Sequence, residues 1–294
     1  MTFKDVIIVV GPTASGKRQL AHAIAQNTGG EIISADSMKI YRMADIGTSK
    51  PQKKYTQEVK YHLIDIIEPD ERYDLGQFFS SACGLIDDMH KRDILPIVSG
   101  GTSLYISKII DGLAAIPPVS SKIIKELEKE SVESLYAELM KVDPERASEL
   151  HPNMKRRIVR ALGVFRQSGK KMSQMIKNTS PPDYNTLTLL IDWPRERLYE
   201  RINRRVDRMI DEGLIEEVRQ LLQKYGEKAP VFEGVGYKEF LPFLRGEIFL
   251  EEAKEDLKKA SRHYARRQLV WWRTKNLIRL DGEKLVDLGI LSEG

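Results

Sequence analysis

One cysteine, Cys83, stands among 294 residues. It excludes an intramolecular disulfide and any zinc site built on several thiolates. Long apolar runs are missing as well, for none approaches the ~18 residues of a membrane span. The N-terminal stretch MTFKDVIIVVGPTASGK closes its short apolar run with a glycine loop and carries no signal-peptide cleavage pattern. A cytoplasmic protein without a membrane partner is the expectation. There is no large excess of one charge either, because 47 Lys and Arg face 43 Asp and Glu. Hydrophobic residues make up 41%, enough for a real core and too many for wholesale disorder. The length is about twice the ~150 residues of a typical domain, so one large domain or two are both open.

What is present alternates. Val6–Val10 is a β-branched run closed by Gly11-Pro12, the pattern of a strand buried on both faces. Leu20, Ala21, Ile24 and Ala25 follow at helical spacing, and Gly29-Gly30 ends that helix. Glu31–Ala35 reads as a second strand running into Asp36-Ser37, and residues 61–67 as a third. A helix over Leu75–Arg92 leads to a strand at Ile94–Val98, closed by Ser99-Gly100-Gly101. Such alternation predicts a parallel sheet with crossover helices, and ligands bind at the carboxyl ends of its strands.

After Gly112 the pattern changes. Pro117-Pro118 breaks the chain, residues 120–178 carry helical patterning alone, and Pro181-Pro182 closes the stretch. Leu187–Asp192 returns to strand character, and long helices are predicted over about 195–224 and 250–276. The expected organisation is an α/β core over 1–112 and 183–294 with a helical insertion at 113–182. Charge is uneven. Between Met154 and Arg208 there are 14 Lys/Arg and 5 Asp/Glu, and between Lys258 and Arg279 there are 8 Lys/Arg and no acid. Basic charge gathered into two segments is the footprint of a polyanion partner.

Gly11-Pro12-Thr13-Ala14-Ser15-Gly16-Lys17 fits G-x-x-x-x-G-K between a buried strand and a helix, the context a phosphate-binding loop requires. Backbone amides, the helix N-terminus and Lys17 would together surround phosphate oxygens. The Ser or Thr that usually follows the lysine and touches Mg²⁺ is Arg18 here, and a guanidinium has no lone pair to give a metal. The strand at 94–98 also ends without the acidic residue that helps hold Mg²⁺ in nucleoside-triphosphate hydrolases. Both features point away from a routine ATPase. Asp36, at the end of the second strand, could orient or deprotonate a nucleophile, or serve as a structural aspartate capping the next turn.

GPTASGK at 11–17, ISADSMKIYRMADIGTSKP at 33–51, HLIDI at 62–66 and GGTSLYI at 100–106 resemble the bacterial tRNA dimethylallyltransferase family. So do DPERASELHPNMKRRIVRAL at 143–162, RERLYERINRRVDRMIDEGLIEEV at 195–218, GVGYKE at 234–239 and RHYARRQLVWWR at 262–273. The resemblance implies a P-loop NTPase-like fold and transfer of a dimethylallyl group from dimethylallyl diphosphate to N6 of the adenine beside the anticodon. The substrates would be tRNAs reading codons that begin with U. It implies that Gly11, Thr13, Ala14, Ser15, Gly16, Lys17 and Arg18 form the diphosphate cradle, with Asp36 as the base, Arg205 on the pyrophosphate and Thr102 near the reacting centre. Contacts to tRNA would come from Asp36, Ser37, Met38 and Lys39, from Arg156, Arg157, Ile158, Val159 and Arg160, and from Gly234, Val235, Gly236, Tyr237 and Lys238. Mg²⁺ is the implied cofactor, with its ligands left open by Arg18, and a monomer is expected. No metal-ligating residue is assigned. Lys39 departs from the usual Gln, and an ammonium can only donate.

Chemistry agrees with the resemblance. An allyl diphosphate needs stabilisation of its leaving group and an in-line amine, and a buried base must leave the anticodon-loop stack. A channel entered by the base from one side and the diphosphate from the other is therefore expected, with the loop and Asp36 on the same face. Other classes remain in view: a P-loop small-molecule kinase, a prenyl transferase acting on free adenine nucleotides, and a non-catalytic RNA-binding protein. Of Trp271 and Trp272, at least one is expected in the core, and Tyr264 with the other is a candidate for base stacking. His62, His151 and Cys83 read as structural.

Overall fold

The computed structural model describes residues 4–273, 275 and 277–292. The start of the N-terminal stretch, and positions 274 and 276 of the helix expected to reach 276, lie outside the described residues. The chain divides into two compact units, one formed by Met1–Ile110 with Asp183–Gly294 and the other by Asp111–Pro182.

Among the described residues the first unit carries β1 (Asp5–Val10), β2 (Glu31–Ser34), β3 (Tyr61–His62), β4 (Pro96–Ser99), β5 (Asn185–Asp192) and β6 (Ile278–Asp281). They form one parallel sheet in the order β3-β2-β4-β1-β5-β6. The side chains of β1 alternate between two cores. Val6, Ile8 and Val10 pack with Phe78, Ala82 and Ile86 of the helix Leu75–Lys91. Val9 packs on the other side with Leu20 and Ala21 of the helix Lys17–Thr28 and with Ile202 of the helix Arg195–Asp211. A central strand between two apolar layers has no use for polar alternation, which is why the run reads VIIVV.

Two segments differ from expectation. Strand geometry in 61–67 stops at His62 because Leu63 and Asp65 take φ of 58° and 57°, which turns the chain out of the sheet. Asp65 then pairs with Lys50. The helix expected over 195–224 is two helices, Arg195–Asp211 and Leu214–Tyr225, parted at Gly213 with φ 100°. The break turns Leu214, Val218 and Leu221 into a third core with Val206 and Met209.

The carboxyl ends of β2 and β4 touch. A Cβ at Gly100 would lie 2.0 Å from the Ala35 carbonyl oxygen, so only glycine fits there. Ala35 N donates to Ser99 O at 2.9 Å, and Thr102 N donates back to Ala35 O at 3.1 Å. This fixes Asp36 beside Gly101 and Thr102.

The second unit packs helices that include Val132–Val142 and Lys155–Ser168 around Leu127, Leu135, Leu139, Ile158 and Leu162. Among the described residues no helix is long and apolar enough to cross a membrane.

Candidate active site

The loop between β1 and the helix Lys17–Thr28 is cupped by Ala14 at φ 63° and Gly16 at φ 91°. Left-handed residues at this spacing turn successive backbone amides into an anion-binding concavity. Ala14 is strained in that region, and contacts from behind hold it. Arg201 Nε donates to Ala14 O at 3.0 Å, Trp193 Nε1 donates to Ser15 O at 3.0 Å, and the guanidinium lies 4.3 Å over the indole. These contacts tie back the Ala14 and Ser15 carbonyls, while Ser15 N is used within the loop, donating to Pro12 O at 3.2 Å. Ser15 Oγ is buried and unpartnered, a polar atom that a phosphate oxygen would satisfy.

A residue absent from the sequence expectations joins this loop to the Gly100-Gly101 turn. Gln268, 4% exposed on the helix Leu250–Trp272, accepts from Thr13 N at 2.8 Å and donates to Gly101 O at 2.7 Å. Tyr264, one turn earlier, donates to Gly101 O at 3.1 Å. Arg205 donates to the Thr13 hydroxyl and, through Nε, to Ser49 Oγ at 3.2 Å. Asp36 Oδ1 accepts from Met38 N at 3.0 Å.

Two cavities meet here. One, of about 210 Å³, is lined by the phosphate loop with Arg18, Lys39, Arg201 and Arg208. The other, of about 470 Å³, is lined by Met38, Tyr73, Gly234, Val235, Gly236, Lys238 and Arg267. Thr13, Asp36, Thr48, Arg205 and Tyr264 line both. The loop and Asp36 therefore share one face, as expected.

Positive charge is crowded on the phosphate side. Burial, then Arg205 and Lys39, hold the Lys17 ammonium down at about 7, with Asp36 opposing them. Burial lowers Lys39 to about 8 against the pull of Asp36, with Arg18 and Arg205 adding to the drop. Burial lowers Arg205 to about 10, Asp36 again opposing and Arg18 assisting. A site charged this way against its own solvation is built for an anion, since a bound polyanion would raise each of these values.

The residues lining this cavity do not by themselves enclose a Mg²⁺ ion. Asp36 is the sole carboxylate lining the phosphate-side cavity. No group of three or more His, Cys, Asp or Glu able to hold a metal exists among the described residues. The Thr13 hydroxyl accepts from Arg205, and Thr48 Oγ1 donates to Ala44 O. A Mg²⁺ ion takes most of its ligands from phosphate and water beside one or two carboxylates, and this lining would add at most Asp36 among several cations.

The profile of the family described as IPP transferase matches residues 39–275, and that described as isopentenyl transferase matches residues 4–66. The chain belongs to the tRNA dimethylallyltransferase family. It is 42% identical over 288 residues to the tRNA dimethylallyltransferase of Caldanaerobacter subterraneus subsp. tengcongensis, covering 94% of this chain and 90% of that one. A relative of the same name from Pelotomaculum thermopropionicum is 43% identical over 282 residues, covering 94% and 90%. The crystal structure of tRNA delta(2)-isopentenylpyrophosphate transferase from Staphylococcus epidermidis aligns with a TM-score of 0.72 at 36% identity, covering 98% of this chain and 96% of that one. A eukaryotic dimethylallyltransferase captured acting on tRNA aligns with a TM-score of 0.88 at 30% identity, covering 98% and 76%.

In this dimethylallyltransferase fold, several residues expected at the RNA surface are packing residues. Ile158 and Val159 are buried in the second unit's core, because their positions on the helix Lys155–Ser168 face Leu135 and Leu139. Arg156 and Arg157 are exposed on the other side, and Arg160 donates to Pro117 O at 3.1 Å. Tyr237 is fully buried and donates to Glu217 Oε1 at 2.8 Å, while a Cβ on Gly47 would lie 2.6 Å from its ring. Lys39, expected on the acceptor side with Met38, lines the phosphate-side cavity instead. Thr102 lines neither cavity, and its hydroxyl accepts from Ser37 N at 2.9 Å and donates to Ser37 Oγ. Trp272 is core and Trp271 is exposed. His62 pairs with Glu31 at 2.6 Å and His151 Nδ1 accepts from Asn153 N, both structural roles.

Part of the basic charge is internally spent. Lys258 and Lys254 both pair with Asp207, and Arg279 pairs with Asp192.

Proposed function

We propose that this chain transfers a dimethylallyl group from dimethylallyl diphosphate to N6 of adenine 37, next to the anticodon, in tRNAs that read codons beginning with U. The observation that carries the reading is the meeting of the two cavities at Asp36, with the phosphate loop on one side and the Gly234–Lys238 wall on the other. The diphosphate sits against the loop amides, Lys17 and Arg205. The extruded adenine enters past Met38 and Val235. The donor's C1–O bond breaks with its electron pair remaining on the diphosphate oxygen, the N6–C1 bond forms, and the N6 proton passes to Asp36. Tyr264 lines both cavities at the junction, where its ring would carry the purine or the allyl group.

The test is mass analysis of anticodon-loop nucleosides after incubation with unmodified tRNA and dimethylallyl diphosphate. A mass gain of one dimethylallyl group on the adenosine next to the anticodon is expected. Transfer to free AMP in preference to an anticodon stem-loop would refute the tRNA assignment, and ATP consumption with nucleosides would refute the transferase reading altogether.

Two lesser effects are expected. Replacing Arg156 and Arg157 by alanine weakens tRNA binding and lowers the slope of log affinity against log salt by up to about 2, read by filter binding at several salt concentrations. The other concerns protons. Lys17 is mostly neutral above pH 7 in the free site, and a bound diphosphate raises it. Donor binding at about pH 8 therefore takes up a proton, and affinity falls as the pH rises past 7. Calorimetry of a non-hydrolysable donor analogue in buffers of different ionisation enthalpy measures the uptake, which Lys17→Met should reduce to the part that Lys39 supplies.

A further inference from the structure

The phosphate-side cavity presents Lys17, Arg18, Lys39, Arg201, Arg205 and Arg208 against the single carboxylate of Asp36. Two of these cations, Arg18 and Lys39, stand where the family resemblance expects neutral residues. Arg18 occupies the helix position right after the loop lysine. Its Nη1 donates to Lys50 O at 3.2 Å, and its guanidinium lies 5.2 Å from the Tyr55 ring centroid. One N–H of five is engaged there, so a preoriented planar fork remains beside the loop. Its charge is felt by Lys17, Lys39 and Arg205 alike. The Thr13 and Ser49 hydroxyls both accept from Arg205.

We propose that this chain neutralises the departing diphosphate with its own side chains, Arg18 and Lys39 taking the place of a divalent cation, so that transfer proceeds without added metal. The inference rests on the transferase reading above. Its physical basis is that leaving-group stabilisation needs positive charge fixed where negative charge develops, and guanidinium and ammonium groups supply it as a metal does. A cavity holding so many cations before any ligand arrives would repel Mg²⁺ unless the donor carried it in. Arg18 also pins the segment at Lys50, so its charge is held in place before binding rather than recruited on binding.

The experiment pairs inorganic pyrophosphate binding, by calorimetry, with single-turnover transfer to an anticodon stem-loop hairpin that folds in monovalent salt. Each is run in EDTA and in Mg²⁺ at matched ionic strength. Wild-type affinity and rate should agree within about threefold between the two conditions. Arg18→Thr should lose about tenfold or more of its pyrophosphate affinity in EDTA and regain most of it with Mg²⁺, since it exchanges a charge-assisted hydrogen bond for a metal-ligating hydroxyl. Arg18→Lys keeps the charge and should remain active in EDTA, which separates the electrostatic role from the anchoring of Lys50; the melting temperature of each variant checks its fold. Wild-type transfer lost in EDTA and restored by Mg²⁺ overturns this inference and leaves the transferase reading standing. Absence of transfer in both conditions overturns the reading, and this inference with it.

Discussion

Asp36→Asn is expected to slow transfer by about 10²- to 10⁴-fold while leaving tRNA affinity within a factor of a few, as loss of a positioned general base does. The substitution keeps the shape, and the amide oxygen still accepts from Met38 N, so the turn after β2 survives. What is lost is the proton acceptor at the junction of the two cavities. The negative charge that counters Lys17, Lys39 and Arg205 goes with it. A sign follows for the donor. With one anion fewer among the cations, Asp36→Asn should bind pyrophosphate at least as tightly as wild type. Single-turnover kinetics with saturating donor and hairpin, together with pyrophosphate calorimetry, measure both effects. A rate close to wild type would remove Asp36 from the chemistry.

Arg205→Gln should cost about 10²- to 10³-fold in the transfer step, the magnitude seen when a charge-stabilising donor is taken from a preorganised site. Arg205 spans Thr13 Oγ1 and Ser49 Oγ, so it closes the phosphate loop against the 48–50 segment while facing both cavities. Arg205→Lys should recover little, because a single ammonium cannot reach both hydroxyls in the guanidinium's plane. Pyrophosphate affinity should fall alongside the rate in both variants. If the rate falls while pyrophosphate affinity is untouched, Arg205 acts on something other than the leaving group.

The sequence alone was enough for much of this site, and the reason is locality. A phosphate loop is a short-range object: glycines in a fixed frame, a buried strand before it and a helix after it. Asp36 was legible because it follows a strand end, and parallel sheets gather their chemistry there. The break at Gly213 was harder to see, since apolar spacing continues on both sides of it. The short β3 was misjudged because YHLIDII has the composition of a strand, while Leu63, the first of the two left-handed residues that end it with Asp65, is of a type that seldom adopts that conformation.

Gln268 shows the opposite limit. It is a neutral amide in a basic run, and nothing in the run marks it. Its meaning comes from Thr13 and Gly101, which lie more than 160 residues away and reach it only when the long helix packs over the sheet. Lys39 makes the same point more sharply. It adjoins Met38 in the chain, yet the two residues line different cavities.

By itself the sequence determined the parallel α/β core, the phosphate loop and the strand-end carboxylate, because hydrophobic period, glycine placement and strand ends are set within a few residues of chain. Only the tertiary structure decided which cations line the phosphate-loop cavity, which supposed RNA contacts are core, and where the two cavities join. Those outcomes depend on side chains from positions 13, 36, 101, 205, 264 and 268 meeting in space, and no local pattern encodes a distance between them.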